Sequence, residues 1–318
     1  MKEIGGYIEF ESYTGRVYHD GATAVNCGRN ALAYLIEAEA VKKIRLPFFL
    51  CSSVKGVCEK YGVSVSFYRI GEDFRPEADI TLLDDEWLYI VNYYGQLSND
   101  EISAYRRKYG RIIVDNSQSY FQYPAEDVPT VYTCRKYFGV PDGGFVYSSK
   151  KLARELPADE SFERIHYILG RFERTAGEFY KESSDNNKFF AGEPIRRMSK
   201  LTENLLRSFE YDRIISRRTE NFTLLHRRLE EVNRLSLKVP DGAFMYPLYL
   251  ENGAEIRKKL QQEKIFVPCL WGDVLDNCDE GSIEYDYAKN ILPLPVDQRY
   301  GAEDMEYILS KLKEQGAI

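Results

Sequence analysis

The sequence predicts an α/β protein: a mainly parallel sheet covered by helices, followed by a smaller C-terminal α/β unit. Three observations predict it. Short β-branched runs alternate with amphipathic stretches up to about residue 150. Long, charged, helical stretches follow. From about residue 236 the pattern returns to strand, helix and strand. Such alternation is the pattern of a parallel sheet with crossover helices.

Taken in order, residues 30–41 carry helical spacing (Leu32, Leu35, Ile36, Ala40) behind Asn26-Cys27-Gly28. Residues 44–50 form a short apolar run containing Pro47, read as a strand end, and residues 52–61 a helix starting at Ser52 or Ser53. Residues 63–68 alternate like a strand, 88–92 form another, and 99–109 are amphipathic. Residues 111–114 lead as a strand into Asp115, followed by short runs at 130–133 and 144–147. Residues 161–181 and 194–232 read as long helices with a polar connector at 183–188. Strands are expected at 244–250 and 266–267, and helices at 254–263 and 302–313. The boundary between units falls between Ser208 and Leu235, giving a large unit over 1–215 and a small one over 216–318.

Composition narrows the function. A hydrophobic fraction of 44% and a charged fraction of 29% are those of an ordinary globular chain. The net charge of −7 is spread without long blocks, and no basic stripe marks a nucleic-acid surface. Six cysteines form no C-x-x-C pair, and the three histidines are scattered, so neither disulfides nor a zinc site is expected. Residues 1–6 lack the apolar stretch of a signal peptide. The longest apolar run, 243–250, is interrupted by Pro247 and too short to span a bilayer. A cytoplasmic protein whose chemistry comes from a cofactor is the expectation.

Three features carry that chemistry. Asn26-Cys27-Gly28-Arg29-Asn30-Ala31-Leu32 sets a small turn before a helix, where open N–H groups favour an anion such as phosphate. A turn before any helix looks the same. Asp115, at the end of a predicted parallel strand, stands where open sheets place ligands, although Asp also caps turns. Lys136 follows an apolar run and precedes Tyr137-Phe138 and the turn Pro141-Asp142-Gly143-Gly144. Partial desolvation there would lower the amine pKa and make it a nucleophile toward an aldehyde, whereas most loop lysines are solvated surface. Together they offer an anion site, a carboxylate and a lysine, the three contacts that pyridoxal 5′-phosphate (PLP) needs. No G-x-G-x-x-G follows the first strand, which removes most of the case for a simple dinucleotide binder.

On these segments the chain resembles the DegT/DnrJ/EryC1/StrS family of PLP-dependent sugar aminotransferases. Residues 26–32 are similar to its Ser-Gly-x-x-Ala-Leu phosphate turn, residues 46–54 to the strand and loop after it, and Asn92-Tyr93-Tyr94-Gly95 to its aromatic-Gly strand end. Asp115-Asn116-Ser117-Gln118-Ser119 resembles its Asp-Ala-Ala-Gln segment, and Arg135-Lys136 with Gly143-Gly144 its lysine segment. Arg197-Met198-Ser199, Arg217-Arg218 and residues 292–304 resemble later landmarks.

The resemblance implies a fold-type I architecture, a seven-stranded α/β/α domain with a small C-terminal domain, and a homodimer. It implies a Schiff base on Lys136, Asp115 on the pyridine nitrogen, Gln118 near the ring hydroxyl, and phosphate on the N–H groups of Gly28, Arg29 and Asn30. A keto-sugar or sugar-nucleotide acceptor and an amino-acid donor such as glutamate follow. A PLP lyase or dehydratase, or a non-catalytic relative of the same fold, would use the same frame.

The chain departs from that pattern at four places. Cys51 stands where an aromatic or His side chain stacks on the ring. Val131 replaces the phosphate-binding Ser five residues before the lysine, with Thr133 or Thr130 as substitutes. Ile195 replaces an Asn given across the dimer, and the loops that shape the nucleotide-sugar pocket are short.

Overall fold

The computed structural model describes residues 4–77 and 80–318. The reading of residues 1–6 therefore lies, for residues 1–3, outside the described part. The first half of the chain runs β1 (Thr23–Val25), α1 (Gly28–Ala38), β2 (Lys43–Pro47), α2 (Ser52–Lys60), β3 (Ser64–Tyr68), β4 (Glu86–Val91), α3 (Asn99–Tyr109), β5 (Ile112–Asp115), β6 (Thr130–Thr133) and β7 (Gly144–Tyr147). Local signals account for most of these boundaries. In α3, Ser98 and Glu101 cap each other's backbone N–H groups, acidic residues open the helix, and Arg106, Arg107 and Lys108 close it.

The seven strands form one sheet in the order β1-β7-β6-β5-β4-β2-β3. Neighbours from β6 to β3 are parallel, whereas β7 runs antiparallel to both β6 and β1. Two reversals cancel, so β1 points the same way as β2 to β6. The C-terminal ends of β1, β2, β4, β5 and β6 therefore share one edge of the sheet, where open α/β sheets bind ligands. Strands β4 and β5 are buried along their whole length, the burial expected of central strands covered on both faces.

Beyond the sheet the chain forms α4 (His166–Glu173), α5 (Tyr180–Phe189), α6 (Lys200–Leu206), α7 (Tyr211–Leu229), β8 (Met245–Tyr249), α8 (Gly253–Gln262), α9 (Val274–Asn277), α10 (Ile283–Asn290), β9 (Ile291–Pro295) and α11 (Ala302–Glu314). The long helices expected at 161–181 and 194–232 are each broken. In the first, the Phe179 ring lies within 2.3 Å of where a Cβ on Gly170 would stand, so the chain folds back and α5 packs on α4. The expected connector at 183–188 is then part of α5, with Asn186 buried and donating to the Pro141 carbonyl. In the second, Arg197 forms isolated bridges with Val25 and Ala158, and Ser199 caps α6. Extended backbone there costs the helix its first turns.

A two-stranded antiparallel ribbon, β8 with β9, carries a second apolar cluster built from Phe222, Leu225 and Leu229 of α7, Ile256 and Leu260 of α8 and Met305 and Leu312 of α11. The strand expected at 266–267 is a loop, and the partner of β8 is instead the proline-containing β9. Pro247 sits opposite Pro293. Prolines are tolerated where the missing N–H faces away from the partner strand.

His19 is fully buried in the large unit, with Nδ1 3.1 Å from the Tyr147 hydroxyl and Nε2 2.8 Å from the Tyr120 carbonyl. Burial lowers its pKa from 6.5 to about 4, against the Tyr120 carbonyl, which raises it. The unfolded chain takes up this proton first as pH falls. Stability is therefore full above 6.5 and is lost as pH drops through about 4, by roughly 3 kcal/mol in all. His19→Gln is expected to flatten this acid limb, as read from urea midpoints across that pH range.

Candidate active site

The predicted site residues lie at or just beyond the C-terminal edge of the large sheet, except Thr130, which starts β6 and stands at the opposite edge, leaving Thr133 as the nearer of the two threonines. After β1 the chain passes through Cys27, whose extended backbone and sulfur cap α1: Sγ accepts the Asn30 N–H at 3.4 Å. Asn30 is buried, and its side chain donates to Asn26 Oδ1 (2.9 Å) and to the Pro194 carbonyl (2.8 Å). Asn30 thus holds the turn together, and the first N–H groups of the helix, on Gly28 and Arg29, have no intrahelical acceptor. Gly28 faces the end of β6, where a Cβ would come within 3.1 Å of the Thr133 Cβ. Thr133 is itself buried against this turn.

Asp115 ends β5. Its Oδ2 accepts from the Tyr89 hydroxyl (2.8 Å) and its Oδ1 from the Ser117 N–H (2.8 Å). Tyr89 keeps its proton, because burial and the adjacent Asp115 carboxylate push its pKa well above 10.0. Each carboxylate oxygen has a lone pair left for a further donor.

Lys136 follows β6, and its Nζ donates to Ser117 Oγ at 2.8 Å. Ser117 therefore joins the lysine and the carboxylate, one through its hydroxyl and the other through its N–H. Part of the Lys136 surface stays open to solvent. Enough protein surrounds the amine that desolvation lowers its pKa from 10.5, while Asp115 and Cys51 act in the opposite direction.

Gln118 is buried and accepts the Tyr94 N–H at 2.8 Å through Oε1. Cys51 sits at the head of α2, its sulfur 3.1 Å from Ser53 Oγ. The first N–H of that helix, on Ser52, goes to Asp273 Oδ2 at 3.2 Å. Trp271, from the same loop, lies over Phe49 with centroids 4.4 Å apart and meets Tyr94 edge-on at 6.3 Å. Tyr94 and Trp271 both hold left-handed backbones, at φ 53° and 57°. Strained positions of this kind collect at ligand sites.

The loop of Lys136 is clamped by a side chain that sequence reasoning placed only as part of a family landmark. Arg218 of α7 is 1% exposed. Its Nη2 donates to the Tyr137 carbonyl (3.1 Å), its Nη1 to the Ala243 carbonyl (2.9 Å) and its Nε to Gln298 Oε1 (2.7 Å). Gln298 Nε2 donates to the same Tyr137 carbonyl at 2.8 Å. The Phe244 ring lies 5.5 Å from Lys136 Nζ. Ser117 and Gln298 lie within family-like segments without a role of their own there, and Phe244 carries no motif; only the fold brings all three to the lysine loop.

Neither a family model nor any curated protein matches the chain. Solved structures do. A DegT DnrJ EryC1 StrS aminotransferase from Brucella abortus is 15% identical, with 92% of this chain and 85% of that one covered at a TM-score of 0.58. The sugar aminotransferase CalS13 from Micromonospora echinospora is 13% identical, with 92% and 87% covered at 0.63. Spr1654 from Streptococcus pneumoniae in its PMP form is 14% identical, with 92% and 85% covered at 0.65. The fold expected from the sequence resemblance, that of a fold-type I aminotransferase, is the fold of this chain.

Removing the clamp leaves the buried Tyr137 and Ala243 carbonyls short of donors. Arg218→Ala is expected to lose roughly 3 kcal/mol of stability. Arg218→Lys, with one compact ammonium in place of a planar fork, is expected to recover less than half of it, as measured by urea unfolding.

Proposed function

We propose that the protein is a PLP-dependent aminotransferase acting on a keto-sugar or sugar-nucleotide, with an amino-acid donor such as glutamate. The observation that carries this reading is the link Asp115–Ser117–Lys136 beside the open N-terminus of α1. The residues fit the cofactor. A carboxylate with lone pairs left, an amine of lowered pKa and helix N–H groups without an intrahelical acceptor follow β5, β6 and β1 on one edge of the sheet. When bound, PLP supplies an aldehyde and an electron-withdrawing ring.

The chain supplies the rest. Lys136 Nζ, held by Ser117, would hold the cofactor through its aldehyde and, as a free amine, would move a proton at the substrate Cα. Asp115 would accept the pyridine N–H, and its carboxylate would favour the protonated ring. Gln118, its Oε1 already used by Tyr94, has Nε2 left to donate toward the ring hydroxyl. Gly28 and Arg29 offer backbone N–H groups to the phosphate, with Thr133 alongside. Cys51 would face the ring in the place of a stacking side chain, and Asn30 would keep the phosphate turn in shape.

Several further points belong to the same reading. We place the unit boundary at 215/216, within α7, whose Tyr211 and Ile214 pack in the larger cluster and whose Phe222 and Leu225 pack in the smaller. A homodimer is supported by exposed apolar side chains along and beside α4 and α5: Phe172 is 92% exposed, Tyr180 74% and Phe162 66%. Among the described residues no helix is long and apolar enough to cross a membrane, and a cytoplasmic enzyme needing neither metal nor nucleic acid completes the proposal.

The purified protein is expected to take up PLP with an absorbance band that disappears on adding glutamate, leaving the amine form of the cofactor. A band that persists with every amino donor would remove the aminotransferase reading, and products of elimination would point to a lyase. Lys136→Ala should abolish the borohydride-fixed adduct and lower turnover about 10²–10⁴-fold. Asp115→Asn should keep the adduct and lower turnover about 10²-fold or more, as read by single-turnover kinetics.

A further inference from the structure

Two arginines from different elements converge at the head of α1. Arg29, in its first turn, donates from Nη1 to the Asn187 carbonyl (2.7 Å) and from Nη2 to Asn187 Oδ1 (3.3 Å). Arg135, the residue before Lys136, donates from Nη2 to the same Oδ1 at 3.2 Å. Two guanidinium groups thus share one neutral oxygen, and neither pairs with a carboxylate among the described residues. The Arg135 guanidinium carbon lies over Phe190, 4.7 Å from its ring centre, and its Nε is buried with no acceptor. Burial pushes the Cys27 thiol pKa up, and Arg135 and Arg29 both oppose that shift, which puts the two charges beside the residue that caps the helix.

Like charges brought together with no carboxylate in ion-pair contact, although Asp142 acts on Arg135 from farther off, and one of them with a buried unused donor, describe a place for an anion. The positions that would supply neutral donors do not. Val131 and Ile195 are buried hydrocarbon. We propose that Arg29 and Arg135, braced by Asn187, form a phosphate-monoester site at the N-terminus of α1 and take the phosphoryl group of PLP by paired guanidinium charge. The Gly28 and Arg29 N–H groups complete it. That the rest of the ligand is PLP rests on the reading of Lys136 given above; the arginine pair as an anion site stands on its own contacts.

The test uses the full chain freed of cofactor, as wild type, Arg29→Gln, Arg135→Gln and the double variant, with thermal melts to establish that each is folded. PLP and pyridoxal, which lacks the phosphate, are titrated separately against the absorbance of the Lys136 adduct. Each single variant is expected to weaken PLP about 10- to 100-fold, the range of a charge-assisted hydrogen bond, and to leave pyridoxal within about twofold. Inorganic phosphate should compete with PLP in the wild type and not in the double variant. Asn187→Ala should weaken PLP by a smaller factor, again without touching pyridoxal.

Equal losses for PLP and pyridoxal would mean that the arginines only shape the lysine loop, and would overturn the proposal. So would unchanged PLP affinity, or phosphate binding to the PLP-loaded protein through the same arginines, which would assign the pair to a substrate phosphate. If the wild type forms an adduct with neither aldehyde, the reading of Lys136 fails. The anion site is then decided by calorimetry: phosphate heat in the wild type that the double variant lacks supports it, and no phosphate heat overturns it.

Discussion

The carbonyl of Tyr137 accepts from both Arg218 and Gln298, and the geometry of the whole candidate site depends on that junction. A buried guanidinium without a carboxylate is costly unless its donors are met. Here they are met by groups from distant parts of the chain: the lysine loop, the residues entering β8 and the segment after β9. The charge is therefore tolerable only when those parts are assembled. In the same arrangement Lys136, one residue away, has its amine placed between Ser117 and the Phe244 ring.

The sheet supplies the other constraint. Because β7 reverses direction between β6 and β1, the first strand ends on the same edge as the central ones. The Gly143 N–H donates to the Asn26 carbonyl at 2.7 Å, and the Cys134 N–H to the Gly143 carbonyl at 3.1 Å. These bonds tie the turn before β7 to the turn before α1 on one side and to the lysine segment on the other. Residues more than a hundred positions apart thus become neighbours without any long loop reaching across the site.

Charge is distributed unevenly around this edge. Asp115 is buried but engaged by Tyr89 and Ser117, so its negative charge is held at a fixed place. At the opposite end of the site Arg29 and Arg135 meet only neutral oxygen. Lys136, which follows Arg135 in the chain and donates to Ser117, has an amine made easier to deprotonate by desolvation and harder by Asp115.

Periodicity alone located β6, β7 and α3 at their residues and most other sheet elements to within a few, because their apolar patterns and caps are local. It also marked Gly28, Asp115 and Lys136, each by a strand-end or helix-start context legible over a dozen residues. It failed where packing decides. The helices expected at 161–181 and 194–232 are broken by a ring against Gly170 and by bridges from Arg197, neither of which has a local signature. The same holds for Arg218, Ser117 and Asn187, ordinary polar residues until the fold brings carbonyls, an amine or two arginines to them. What the sequence determined by itself was the fold class and most elements of the large sheet, since these follow from residue type and near neighbours. Which donors are met, which charges lack a partner and how the lysine is held were decided only by tertiary structure, because those depend on contacts between residues far apart along the chain.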